Sequence, residues 1–315
     1  MVIPTIILGR HNMFAQKVKK DFKKNYFKYL MVLPVIIYLI LFCYKPMYGI
    51  IIAFQKYRPA LGFARSQWVG FAQFKRFFAD PYFWRVFKNT ILISFWSLVF
   101  TFPAPIILAL MLNEVKVGWF KRSVQTLTYI PHFIALVVAM GMVNQFCQSD
   151  GLITDALVSL GVIDRQNLLL NKNFFYPIYI ISDLWKGIGW NSIIYLAALS
   201  SVDQEQYEAA RIDGASRLQQ MWYITLPSIV PTISMLLILK MGHIISVGSE
   251  KILLLYQPLT YEVADVISTY VYRKGLLDAD FSYSTAISLF NSLINLMFLI
   301  GTNKLSKKLG QSGLV

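Results

Sequence analysis

Long apolar stretches alternate with short polar ones along the whole chain. Six stretches stand out, at 29–48, 88–112, 123–147, 174–200, 227–248 and 282–302. Each supplies the roughly 20 residues that cross about 30 Å of hydrocarbon at 1.5 Å per residue. Lipid offers the backbone no hydrogen-bond partners, so the stretches are expected to be helices. The strand-like alternation of a membrane barrel is absent. The pattern predicts an all-α membrane protein of about six transmembrane helices.

The connecting pieces differ in character. Residues 1–28 form a basic tail with Arg10, Lys17, Lys19, Lys20, Lys23, Lys24 and Lys28. Residues 49–87 are aromatic and basic. Phe71, Phe74, Phe77 and Phe78 recur there at spacings of three and four, which predicts an amphipathic helix lying in the interface. Residues 303–315 form a second basic tail, with Lys304, Lys307 and Lys308. Lys and Arg are spread almost evenly between the two sides of the six-span arrangement. Orientation therefore rests on the first span and its dense tail, which place both termini in the cytosol. The basic first outer loop (Lys45, Lys56, Arg58, Arg65, Lys75, Arg76 and Arg85) runs against that rule. It fits acidic headgroups, the acidic lobe of a binding protein, or an anionic substrate.

Composition agrees with a membrane setting. Of 315 residues, 56% are hydrophobic and 15% charged, where soluble domains average about 25% charged. The formal net charge is +14. In a soluble protein that would suggest nucleic acid; beside membrane spans it suggests anionic lipid, and no nucleic-acid partner is expected. Cys43 and Cys147 form neither a disulfide framework nor a zinc site and are expected to be unreactive. The N-terminus does not read as a secretory signal peptide, because its basic residues follow the short apolar run.

Ionisable groups within spans are expensive and point to function. Asp183 and Lys186 lie three apart on one span, as do Lys240 and His243 on another. Two readings stay open for each: pairing within the bundle, or lining a water-filled path. In the second, Asn144, Gln145, Trp185, Lys186, Trp190, Asn191, Tyr195, Lys240 and His243 supply aromatic faces and hydrogen-bonding groups to a solute. His132 reads as structural, His11 as solvated, and Gly187–Gly189 as a site of close helix packing.

Residues 203–227 are polar between two apolar runs. Asp203 can cap a short helix through Ile212. Gly214 is placed for a sharp turn. A second helix is expected from Ala215 to Thr225, and Pro227 then restarts the chain as the first turn of the next span. Tyr207, Ala210, Ile212, Met221 and Trp222 give this piece an apolar side for docking another protein.

Glu208-Ala209-Ala210, Gly214 six places after the Glu, and Ile224, Leu226 and Pro227 together resemble the "EAA loop" of permeases from binding-protein-dependent ATP-binding-cassette importers. Asp213 before the glycine resembles the sugar-importer branch. The likeness spans most of the chain. Tyr48-Gly49-Ile50, Ala53-Phe54, Trp68-Val69-Gly70-Phe71, Asp80-Pro81, Phe83-Trp84 and Asn89-Thr90 are similar to the first outer segment of sugar permeases. Trp185 to Asn191, Ile194 to Leu199 and Asp265 to Arg273 resemble a narrower group, the permeases for polysaccharides and complex oligosaccharides, including oligouronides from pectin and alginate. The resemblance implies a type I importer permease fold, of the kind found in maltose permeases. It implies a cytoplasmic coupling helix at 203–227 that meets a cytosolic ATPase. It further implies a second homologous permease subunit, two ATPase copies carrying ATP and Mg, an extracytoplasmic sugar-binding protein and the bacterial inner membrane. The large outer domain of some maltose permeases is missing here.

No Gly-x-x-x-x-Gly-Lys-Ser/Thr stretch occurs, so no phosphate-cradling loop and no bound cofactor are expected on this chain. The expected function is oligosaccharide import by alternating access, driven from a partner. The competing readings are a permease for a non-sugar solute and an ion-coupled secondary transporter. The latter calls for inverted repeats, and none is visible. A membrane enzyme would need converging catalytic groups, and three scattered histidines do not supply them.

Overall fold

In a computed structural model, the described residues are Asp21, residues 23–308 and Gly310. The basic tail before Asp21, with His11, lies outside them, as does the extreme C-terminus.

Helices carry nearly all of the fold. We name α1 (Lys23–Phe54), α2 (Ala72–Phe78) and α3 (Phe83–Glu114). Next come α4 (Gly118–Phe133), α5 (Leu136–Phe146), α6 (Leu152–Ser159) and α7 (Lys172–Ser200). The rest are α8 (Gln204–Ile212), α9 (Arg217–Met241), α10 (Ser249–Leu255), α11 (Ile267–Tyr272) and α12 (Phe281–Lys308). A two-residue hairpin, β1 (Gln55–Lys56) against β2 (Gln67–Trp68), is antiparallel and closes the loop after α1.

Among the described residues, four helices are long and apolar enough to cross a membrane: α1, α3, α9 and α12. The α4–α5 pair makes a fifth if it counts as one span. The chain therefore departs from six uniform spans in two places. The stretch expected at 123–147 breaks after Phe133 and turns by 102° into α5. Pro131 deprives that last turn of one donor, and Ile134 and Ala135 are extended. The stretch at 174–200 is a single 29-residue helix, but it carries Asp183, Lys186 and Asn191 and is not among the four apolar spans. Helices α3, α4, α5 and α9 all pack on α7, while Ile181, Trp185, Trp190 and Ile194 stay exposed.

Three apolar clusters stack along the bundle. At one end Phe77, Phe83, Val86, Ile245, Ile267, Tyr270, Tyr283 and Ile287 unite α2, α3, α11 and α12. In the middle Ile93, Met140, Phe175, Tyr179 and Ile252 join α3, α5, α7 and α10. At the other end Ala109, Tyr195, Leu199 and Ile229 join α3, α7 and α9. The apolar window of α1 buries nothing within the chain; its side chains face outward.

The first end is held by charge. Asp265 is fully buried. It accepts two hydrogen bonds from Arg273, at 2.9 and 2.5 Å, and one from Thr269 at 2.7 Å. Arg85 stands 3.7 Å away. Burial works against the Arg273 charge, but the Asp265 carboxylate outweighs it and raises the guanidinium pKa above its ordinary value. Nearby, Asp80 accepts from Tyr270 at 2.5 Å and Tyr283 at 2.6 Å. Burial disfavours its ionisation, yet these two hydroxyls hold its carboxyl below the usual range.

Removing one partner of a buried pair leaves the other charge uncompensated. Asp265→Asn is expected to cost about 3–5 kcal/mol, read as a lowered thermal midpoint of the purified protein. A carboxyl held low contributes stability that is complete above its unfolded value and is lost as pH falls through its folded value. The Asp80 contribution should therefore begin to fall near about pH 4 and be lost as pH drops through the lower folded value. Asp80→Asn should flatten that part of the stability–pH curve.

Candidate substrate path and coupling arm

The polar residues of α7 point at two adjoining hollows. One, of about 260 Å³, is lined by Thr101, His132, Leu136, Asp183, Leu184, Lys186, Gly187, Ile188, Asn191 and Lys240. The second, of about 190 Å³, shares Thr101, Asn191 and Lys240 and adds Tyr195, among others. Together they form a polar cavity between α3, α4, α7 and α9.

Three lysines stand around this cavity, and their partners differ. Lys251 of α10 is buried. It donates to Asp183 Oδ1 at 3.1 Å and to the Tyr179 carbonyl at 2.7 Å, with its ammonium 4.1 Å from the Tyr179 ring centre. Asp183 thus pairs across helices, not with its neighbour Lys186. Lys186 turns toward the broken end of α4 and donates to the carbonyls of His132 at 2.9 Å and Ile134 at 2.7 Å. Lys240 donates to Thr101 Oγ1 at 3.0 Å. Among the described residues it forms no ion pair within 4.0 Å. The wall itself carries Lys186 and Lys240 against the one acid Asp183, which Lys251 meets from behind, and is net positive.

Lys186, Asn191, Tyr195 and Lys240 come together here. The other expected path residues do not. Trp185 faces an apolar hollow with Met142, Val143, Phe146 and Ile181, because its position on α7 is turned away from Lys186. Asn144 and Gln145 lie at the far end of α5, carried off by the 102° turn. His243 falls beyond the last turn of α9 and is exposed. Trp190 stacks on His132, with ring centres 4.4 Å apart and planes 2° apart. Thr101 and Lys251 carry no signal of their own in the sequence: one is among four hydroxyl residues of an apolar span, the other a lysine in a loop.

The segment after α7 is built for a sharp reversal. Asp203 caps α8 by accepting from Glu205 N–H at 3.0 Å. At its other end Ala215 N–H donates to Ala210 O and Gly214 N–H to Arg211 O, the paired bonds of a Schellman ending. That ending needs a left-handed residue, and Gly214 has φ +78°. Ser216 and Gln219 then form a reciprocal capping box at the start of α9.

Pro227 does not restart the chain. The helix runs unbroken from Arg217 to Met241. Proline has no N–H for the carbonyl four residues back. The chain absorbs this in a π-type turn over Met221–Thr225, where Leu226 N–H donates to Met221 O. The second limb of the turn and the following span are one rod. Tyr207 Oη and Thr225 Oγ1, 2.9 Å apart, tie the two limbs together. Glu208, Ala209 and Asp213 are exposed beside Gly214, and Ile212 and Tyr223 are 87% and 80% exposed. Ala210, Ile224 and Leu226 are half-buried.

Residues 101–311 match the family described as binding-protein-dependent transport system inner membrane component. The chain belongs to that family. It is the membrane permease of an ATP-binding-cassette importer and is not itself the ATPase. This permease is similar to the polygalacturonan/rhamnogalacturonan transport system permease protein YteP of Bacillus subtilis (strain 168), with 47% identity over 91% of this chain and 89% of that one. It is also similar to Protein LplB of the same organism, at 43% identity over 93% and 92% of the two chains. Among solved structures it resembles a chain of a bacterial alginate ABC transporter in complex with alginate pentasaccharide-bound periplasmic protein. There the TM-score is 0.86, with 44% identity over 94% of this chain and 99% of that one. The fold is therefore that of a type I importer permease.

In this permease a side chain at position 214 would be forced into the left-handed region, which costs about 1–2 kcal/mol. Gly214→Val is expected to leave membrane insertion intact and to lose co-purification with the cognate ATPase. Normal recovery of the ATPase would show that the reversal is not needed for docking.

Proposed function

We propose that this permease passes acidic oligosaccharides from an extracytoplasmic binding protein into the cytosol by alternating access. The observation that carries the reading is Lys240. It projects into a net-positive cavity, with a hydroxyl as its partner. A uronate carboxylate is the complement of such a group, since a desolvated charge gains most from an opposite charge. Asn191, Thr101 and Tyr195 offer the neutral hydrogen-bonding groups that sugar hydroxyls require. The names of its relatives, which speak of polygalacturonan, rhamnogalacturonan and alginate, agree with this substrate class.

In this reading the permease pairs with a second homologous permease subunit, two cytosolic ATPases and the binding protein. ATP and Mg stay on the ATPases. Both termini face the cytosol, which puts Glu208, Ala209, Ala210, Asp213, Gly214, Ile224, Leu226 and Pro227 on the ATPase side. The exposed Ile212 and Tyr223 supply apolar contact area there. Because α9 is one rod, closure of the ATPases tilts it directly. Lys240 sits near its far end, so the tilt moves the carboxylate-reading group. This is rigid-body switching between two arrangements.

The test uses the assembled transporter in proteoliposomes with its binding protein. Lys240→Met should cut uptake of an oligogalacturonate at least about tenfold. Uptake of the methyl-esterified oligosaccharide should change little. An equal loss for both, or no loss, would sink the assignment.

A further inference from the structure

The break between α4 and α5 exposes carbonyl groups that the helix itself cannot satisfy. In a bundle without free access to water, each of these is costly. Lys186 meets them. Its ammonium donates to His132 O at 2.9 Å and Ile134 O at 2.7 Å, with Pro131 O a third acceptor at 3.5 Å. An ammonium has three protons, and its acceptors here are all backbone carbonyls. The site is also the C-terminal end of α4, where the helix dipole favours a cation.

Two other residues on the same face of α7 grip the same turn. Positions 186, 189 and 190 are three and four apart, and so adjacent on a helix surface. A Cβ at Gly189 would fall 2.2 Å from Thr128 O, so α7 approaches the α4 backbone as closely as a glycine allows. Trp190 lies flat on His132 and meets Phe133 edge-on at 5.6 Å. Cation, gap and ring together hold the end of α4.

We propose that Lys186 is a positioning residue for transport: its ammonium clasps the broken span so that the α4–α5 elbow travels with α7 as one body. The inference goes beyond the substrate reading, because the clasp acts on backbone whichever solute crosses. It also keeps the cavity wall compatible with an anion. Bare carbonyls at a helix C-terminus would repel a carboxylate, and the ammonium cancels them. Lys186 and Lys240 thus line one cavity with different duties, one turned to the protein and one to the solute.

Reductive methylation of the assembled wild-type transporter separates these duties. It is run nucleotide-free and ATP-trapped, each with and without oligogalacturonate, and read by mass spectrometry. Lys186, with its protons committed, should be modified at least about tenfold more slowly than Lys240 in both substrate-free conditions. Substrate should protect Lys240 alone. Rapid modification of Lys186 in the substrate-free transporter, or its protection by substrate, would overturn the proposal. A second arm uses variants. Lys186→Met should lower uptake of the acidic and the methyl-esterified oligosaccharide alike, by about tenfold, and Lys186→Arg should restore most of it. Loss confined to the acidic substrate would make Lys186 a ligand and end the clasp. If Lys240→Met failed its own test, the Lys186 results would still stand or fall by themselves.

Discussion

Within a low-dielectric bundle, an uncompensated charge or an orphaned carbonyl costs more than most packing contacts return. The arrangement around α7 follows from that constraint. Asp183 is matched by Lys251, and the open end of α4 is matched by Lys186. These matches occupy Asp183, Lys186 and Lys251. Lys240, with a hydroxyl for company, is left facing the cavity with its charge available.

The same constraint explains how a helix with charged residues can stand in a membrane protein. Neighbours on its polar side replace the solvent that Asp183 and Lys186 would need. A small residue lets one of them come close: Gly189 against Thr128. The neighbours of α7 carry much of the apolar outer surface. The outward-facing apolar side chains of α1 show the extreme of that division.

At the other extreme of the chain's mechanics is the reversal at Gly214. A turn fixed by a left-handed glycine and a two-sided cap is stiff. The rod that leaves it reaches the cavity without interruption, because a π-type turn accommodates Pro227.

The apolar periodicity made the helical membrane fold legible, since only helices can satisfy the backbone over such runs. The spacing from Glu208 to Pro227 likewise made the reversal at Gly214 legible, because glycine alone adopts that conformation without strain. What the order of residues left open was which polar group meets which. Asp183 and Lys186 are neighbours on one helix face, yet each is claimed by another element. Their partners, Lys251 and the carbonyls of residues 132 and 134, become neighbours only when the bundle closes. Asn144, Gln145, Trp185 and His243 looked like path residues by type, and the turn of a helix or a 102° break carried them elsewhere. Local chemistry and period belong to the sequence; the pairing of buried charges is decided by which helix packs beside which, and that is a property of the folded chain alone.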